Sequence, residues 1–156
     1  MDFIIRKLKD SDIIKAGNVV KKAQRLTLKD YYSKELIDAF CNKNNPKNFA
    51  IRAKERQFYI AEIPKRKKII GVIAKKDNEL KTFFVHPNYQ GKGVGRKLFE
   101  KVRDETLKQG YDKLIVKSSH YAVNIYKKLG FKFIKKIKQE VDGLPFIDNY
   151  MEQELK

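Results

Sequence analysis

The sequence predicts an α/β (α+β) fold, with a mixed, mostly antiparallel central sheet of about six to seven strands and helices flanking it. Three observations carry this expectation. Gln57 to Val85 reads as three successive strands joined by tight turns at Pro64–Lys67 and Asp77–Asn78. Phe83 to Gly95, FFVHPNYQGKGVG, reads as a buried strand, a sharp loop and a helix start. Phe131 to Leu155 reads as a closing hairpin around Asp142–Gly143.

In chain order, Phe3 to Leu8 alternates enough to be a first strand. Asp10, Ser11 and Asp12 supply N-cap candidates for a helix through about Gln24, with Ile13, Val20 and Ala23 on its buried side. Ser33 caps a second helix that presents Leu36, Ile37 and Phe40 and ends at the Asn42–Pro46 cluster. A short helix over Phe49–Arg56 leads into the strands Gln57–Ile63, Ile69–Lys76 and Glu79–Val85, whose register buries Phe58, Ile60, Ile70 and Val72. A long helix from about Gly93 to Gln109 repeats Val94, Leu98 and Val102 at i, i+4 and i+8, and Gly110 stops it. Leu114–Lys117 is then a short strand, Ala122–Leu129 a helix, and Phe131–Glu140 with Phe146–Leu155 the last hairpin.

Composition agrees with one domain spanning 1–156, because 156 residues with 42% hydrophobic content bury a single core and no Pro, Gly or Ser-rich linker divides them. The opening MDFIIRKLKD lacks the apolar core of a secretory leader, and no segment approaches a membrane span. A lone cysteine, Cys41, has no partner for an internal disulfide, which fits a cytoplasmic protein. No metal is expected, since His86 and His120 are isolated and lack a cysteine set. The net charge of +17 attracts polyanions through its field, nucleic acid among them. It does not specify one: 29 of the 36 basic residues are lysines scattered along the chain, and no base-stacking motif accompanies them.

The loop after Val85 carries the chemistry. Gln90, Gly91, Gly93 and Gly95 remove side chains where backbone N–H groups at a helix N-terminus meet an anion, which points to a pyrophosphate. A P-loop is excluded, because Lys92 lies between the glycines and no Lys-Ser or Lys-Thr pair follows. A dinucleotide fingerprint is improbable, because Gly91, Gly93 and Gly95 alternate and no strand ending in an acid follows about 20 residues later. The pattern that fits is Q-x-x-G-x-G, filled by Gln90, Gly93 and Gly95 after a strand ending in Val-His-Pro. About thirty residues on, SHYAVNIYKKLGF places Ser119, Ala122, Ile125, Tyr126, Gly130 and Phe131. Together these resemble motifs A and B of the GNAT superfamily of acetyl-CoA-dependent N-acetyltransferases.

That resemblance implies a site. The diphosphate of acetyl-CoA is expected on the backbone amides of Gly91, Lys92, Gly93, Val94, Gly95 and Arg96, with Lys92 and Arg96 adding charge and no metal needed. Pantetheine is expected along Thr82–Val85, with Phe84 and Val85 as main-chain contacts and one N–H there polarising the thioester carbonyl. Ser119 stands where many relatives carry an asparagine. Tyr126 matches the position of the acid that protonates the departing thiolate; with Ala122, Ile125 and Leu129 as the core face, it lies about 100° round from Ile125 and points at the cleft. Glu79 stands where some histone-acetylating relatives keep a glutamate base, and it equally suits a solvated hairpin position. The acid that ribosomal-protein N-terminal acetyltransferases carry at the start of the next strand is here Leu114, which argues against that subfamily. His86 reads as a structural exit from the sheet before Pro87. The amine acceptor is expected between Leu26–Phe40 and the last hairpin, with Tyr31, Tyr32 and Phe146 as candidate lining. A homodimer is common in such families. Acetylation of aminoacyl-tRNA and a noncatalytic acyl-CoA sensor are the alternative functions.

Overall fold

A computed structural model describes residues 1–156 and arranges the strands as one seven-stranded sheet. They are β1 (Ile4–Lys7), β2 (Gln57–Ile63), β3 (Lys68–Lys76), β4 (Glu79–Val85), β5 (Lys113–Ser118), β6 (Lys132–Val141) and β7 (Leu144–Glu154), in the spatial order β1-β2-β3-β4-β5-β7-β6. Every neighbouring pair is antiparallel except β4 and β5, which run parallel across the crossover helix. The helices are α1 (Ile13–Leu28), α2 (Lys34–Asn42), α3 (Pro46–Glu55), α4 (Val94–Lys108) and α5 (Val123–Lys128).

Local chemistry sets the helix ends. The Ser33 hydroxyl accepts from the Leu36 N–H at 3.2 Å and caps α2, as its sequence predicts. The third helix begins at Pro46, ahead of the expected Phe49, because Asn45 caps it through the Asn48 N–H at 2.8 Å and proline at the first helical position gives up a donor that had no partner. The first helix runs on to Leu28, past Gln24, since Leu28 is buried with Ile37 and Cys41. Asp12 precedes that helix without capping it: its carboxylate accepts from the Lys9 N–H and from both terminal nitrogens of Arg6.

Helices cover the sheet on both faces. Against α4 lie Tyr59, Ala61, Ile73, Leu80, Leu114 and Met151; against α1 and α3 lie Phe58, Ile60, Val72 and Ala74. Strands β2 and β3 therefore read as continuous apolar runs rather than as the single buried face their alternation suggested. Ile70 is buried as expected, yet on the face opposite Val72's. The bulge between Ala61 and Glu62 skips Ile70 in the β2–β3 ladder and turns it toward α4. Gly71 lets α4 approach: a Cβ there would lie 2.7 Å from Leu98 Cδ1 and 3.1 Å from Val94 Cγ1.

The feature that makes a site is a split in the sheet. β4 and β5 pair only at Glu79↔Ile115 and Leu80↔Val116, and beyond those positions the two strands no longer pair with each other. A second bulge, between Ala74 and Lys75 in the β3–β4 ladder, leaves Lys81 without a partner at the point where that pairing ends. Such a bulge bends its strand, and here it turns the Thr82–Val85 half of β4 away from β5.

Candidate active site

A cleft of about 900 Å³ fills the split. Its lining runs from Glu79 to Val85 on β4, from Val116 to Ser119 on and after β5, and onto the loop that leads into α4. That loop is built from two left-handed residues, Gly91 (φ 75°) and Gly93 (φ 84°), each with open space where a Cβ would stand. Gly93 is the N-cap of the 15-residue α4 and supplies no side-chain cap, so the first N–H groups of a long helix have no side-chain partner. Gly95 is ordinary helix; a Cβ there would sit 3.5 Å from Phe83 and Val85. The Gln90 amide donates to the Val85 carbonyl at 3.2 Å and ties the loop to the strand end.

Gln90, Gly91, Gly93, Gly95 and Arg96 line the cleft, together with Phe84 and Val85. Lys92 and Val94 do not: the Lys92 side chain is exposed, and that of Val94 is buried in the α4 core, which leaves their main-chain N–H groups as what they have to offer. His86 ends the strand, its Nδ1 accepting from the Asn88 N–H at 3.1 Å, while burial first and then Lys22 and Lys68 hold its pKa below the usual imidazole value.

Across the split, the Ser119 hydroxyl lines the cleft and accepts from the Ala122 N–H at 3.3 Å. The structure corrects the expected facing of α5. Ile125 is 43% exposed, whereas Tyr126 is 7% exposed and packs against Phe83 and Phe131 at centroid distances of 6.2 and 5.3 Å. The helix is shorter than expected, and the return through Gly130 bonds the Phe131 N–H to the Tyr126 carbonyl, which fixes Tyr126 inward. Tyr126 is thus both a core residue and part of the cleft wall. Burial, and then the charge of Asp148, push its phenol above the usual tyrosine range, so it keeps its proton.

Three carboxylates line this space: Glu79, Asp148 and the exposed Glu140. Glu79 is held by Lys81 at 3.1 Å and Lys117 at 3.8 Å, at the closed end of the split. Asp148 forms no ion pair; burial pushes it up to about 6, against the pull of Gln139 and Lys117. Asp148 is not among the candidates that the sequence offers. Its signal is the period of two in FIDNYM, where Asn149 and Met151 are buried on one face and Phe146 and Asp148 therefore share the other.

Aromatic side chains wall the same region. Tyr32 stacks on His120 at 5.5 Å and accepts from the His120 N–H at 3.0 Å, and Phe40 meets both Tyr32 and Phe146 edge-on. Tyr32 and Phe146 line the cleft; Tyr31 is 51% exposed and packs on Tyr121 instead. No helix is long and apolar enough to cross a membrane.

Comparison with known proteins fits this geometry. The profile of the acetyltransferase (GNAT) domain matches residues 28–154. No curated protein matches the sequence. Among solved structures, the GCN5-related N-acetyltransferase of Rhodopseudomonas palustris superposes with a TM-score of 0.91 at 20% identity, over 99% of this chain and 96% of that one. PaiA N-acetyltransferase from Thermoplasma acidophilum, solved with coenzyme A, gives 0.81 at 24% identity over 99% of both chains. YncA of Salmonella typhimurium, described as a putative acetyltransferase and solved with acetyl-CoA, gives 0.66 at 20% identity over 100% of this chain and 95% of that one.

Proposed function

The chain belongs to the GNAT acetyltransferase family, and on that premise we propose that it transfers the acetyl group of acetyl-CoA to a primary amine by direct attack in a ternary complex. The observation that carries the proposal is the coincidence of an open split between parallel strands with a side-chain-free helix N-terminus at the end of one of them. The main-chain N–H groups of Gly91 to Arg96 receive the diphosphate, Arg96 adds a cation from the cleft wall and Lys92 one from outside. The unpaired Thr82–Val85 edge of β4 offers main-chain groups to the pantetheine arm, which adds to the sheet as a strand would. Ser119 flanks that arm on the other side.

The protons follow from the groups around the split. The acceptor arrives as an ammonium and gives a proton to a carboxylate. Its lone pair then attacks the thioester carbon, the carbonyl oxygen takes the negative charge beside β4 N–H groups, and collapse expels the thiolate as the nitrogen gives its second proton to solvent, leaving a neutral amide. Tyr126, protonated and in the wall, donates to that thiolate. Asp148 is the carboxylate best placed to take the first proton, being free of ion pairs and close enough to Tyr126 to act on its pKa. Glu79 is the competing assignment: it lines the cleft, but two lysines already share its charge.

Release of free thiol from acetyl-CoA in the presence of a panel of amino acids, diamines, aminoglycosides, peptides and aminoacyl-tRNA tests the reading. Amine-dependent release that Tyr126→Phe lowers, with coenzyme affinity kept, is expected. Coenzyme binding with no release for any amine contradicts catalysis and leaves an acyl-CoA sensor.

A further inference from the structure

The acceptor half of the cleft holds two arginines that form no ion pair, although the charge of Glu55 reaches both and that of Glu79 reaches Arg56. Arg52 lies in the last turn of α3 and Arg56 four residues on at its C-cap, so both stand on one side of the helix, and both line the cleft. Both are half-buried, and no carboxylate hydrogen-bonds to either. Burial, then the like charge of Arg56, bring Arg52 down to about 10, and burial lowers Arg56 as well. Placing two cations together at a partly desolvated wall of a chain of net charge +17 is costly, and an anion between them removes the cost.

The Arg52 guanidinium is also positioned. Its Nη1 donates to Asn44 Oδ1 at 3.2 Å, and Asn44 Nδ2 donates in turn to Gln24 Oε1 at 3.2 Å and to the Phe40 carbonyl at 3.3 Å. Asn44 and Gln24 are buried, at 4% and 8% exposure, and come from the α2–α3 turn and from α1. One nitrogen of the fork is thereby anchored by a buried amide chain, and the Arg56 guanidinium makes no hydrogen bond, its main-chain N–H donating to the Arg52 carbonyl at 3.0 Å. A planar fork held in this way matches the two oxygens of a carboxylate or a phosphate.

We infer that Arg52 and Arg56 form an oxyanion subsite for the acceptor, so that the substrate is an amine that also carries a carboxylate or a phosphate. This rests on the acetyl-transfer reading of the same cleft. The anion is not one of the coenzyme's: Arg56 is close enough to Glu79, where β4 starts, to feel its charge, whereas the glycine loop follows the other end of that strand, about 20 Å away at the rise of an extended chain. Beside Glu55, which acts on both arginines, the carboxylates Glu79, Glu140 and Asp148 line the same cleft among several lysines, so the acceptor half offers carboxylates to an ammonium and arginines to its anion.

The test is a titration of the protein saturated with coenzyme A, followed by NMR at the arginine Nε–Hε and backbone amide signals. Glycine carries the carboxylate, phosphoethanolamine the phosphate, and ethanolamine neither. The Arg52 and Arg56 signals should move saturably with glycine or with phosphoethanolamine, the stronger of the two naming the anion, and stay still with ethanolamine. Arg56→Gln and Arg52→Lys, the latter keeping charge but losing the fork, should each weaken that binding by about ten- to a hundredfold with the amide spectrum intact. Arginine signals that ignore both anionic probes, follow ethanolamine equally, or move with coenzyme A alone overturn the subsite. The amides of Gly91 to Arg96 report the parent reading separately: if coenzyme A shifts them while the arginines stay silent, the subsite alone fails, and if they stay silent too, both fail.

Discussion

Asp148 stands one residue beyond the last β5–β7 pair, Ser118↔Asn149, where the sheet has begun to open. An acid with no cation on it and a pKa near 6 is ionised at neutral pH yet poorly solvated, which suits it to take a proton from an ammonium. If Asp148 takes the ammonium proton as proposed, kcat/KM should rise with pH through about 6, and Asp148→Asn should remove that limb and lower kcat by about a hundredfold or more. Stability should respond in the opposite sense. The folded protein binds this proton more tightly than the unfolded chain, so between the ordinary carboxylate value and about 6 the group makes stability fall as pH rises. Asp148→Asn should therefore be more stable than wild type at pH 7, by at most about 3 kcal/mol, and the difference should vanish below pH 4. A flat pH profile with unchanged kcat in Asp148→Asn, or an equal loss confined to Glu79→Gln, contradicts the assignment. The glycine loop was legible because glycine has a backbone meaning of its own. Asp148, Arg52 and Arg56 were not, because an acid in a strand and two basic residues four apart on a helix look like solvent charges until tertiary pairing sets which way they face.

At the scale of elements, the order of strands and helices followed from periodicity and turn residues, and the Asp142–Gly143 hairpin formed with positive φ at both residues, 48° and 80°. Ends and faces moved where a third party intervened. Asn45 with Pro46 started α3 early, a bulge turned Ile70 over, and the short return at Gly130 turned Tyr126 inward in place of Ile125. The split itself left no mark that a single strand's pattern can show, because it is a property of two strands and a bulge on a third. The seating of α4 on β3 aims the glycine loop, and Gly71 sets that distance. Gly71→Val forces its branched side chain against Leu98 and Val94 and should cost about 1–3 kcal/mol, read as a lowered melting temperature with weaker coenzyme binding. An unchanged melting temperature would mean that the helix has room to retreat and that the contact does not set the loop.

For the whole molecule, charge acts at a distance. Lysine and arginine outnumber aspartate and glutamate by 36 to 19, and the proposed coenzyme is a polyanion that such a field would attract. The association rate for acetyl-CoA should fall steeply as salt rises, while the dissociation rate, on the proposed main-chain binding, should change little. Stopped-flow measurements in which both rates ignore salt would remove any role for the field.

The proposed binding of acetyl-CoA turns on the bare helix N-terminus at Gly93. Calorimetry with acetyl-CoA on the wild type and on Gly93→Glu tests this most directly, because the new carboxylate occupies the anion's place, and an acid at a helix N-terminus favours the helix dipole, which offsets the strain at φ 84° and spares the fold. The prediction is binding to the wild type and none to a variant whose melting transition is otherwise close to normal. Equal affinity in the two proteins would contradict it.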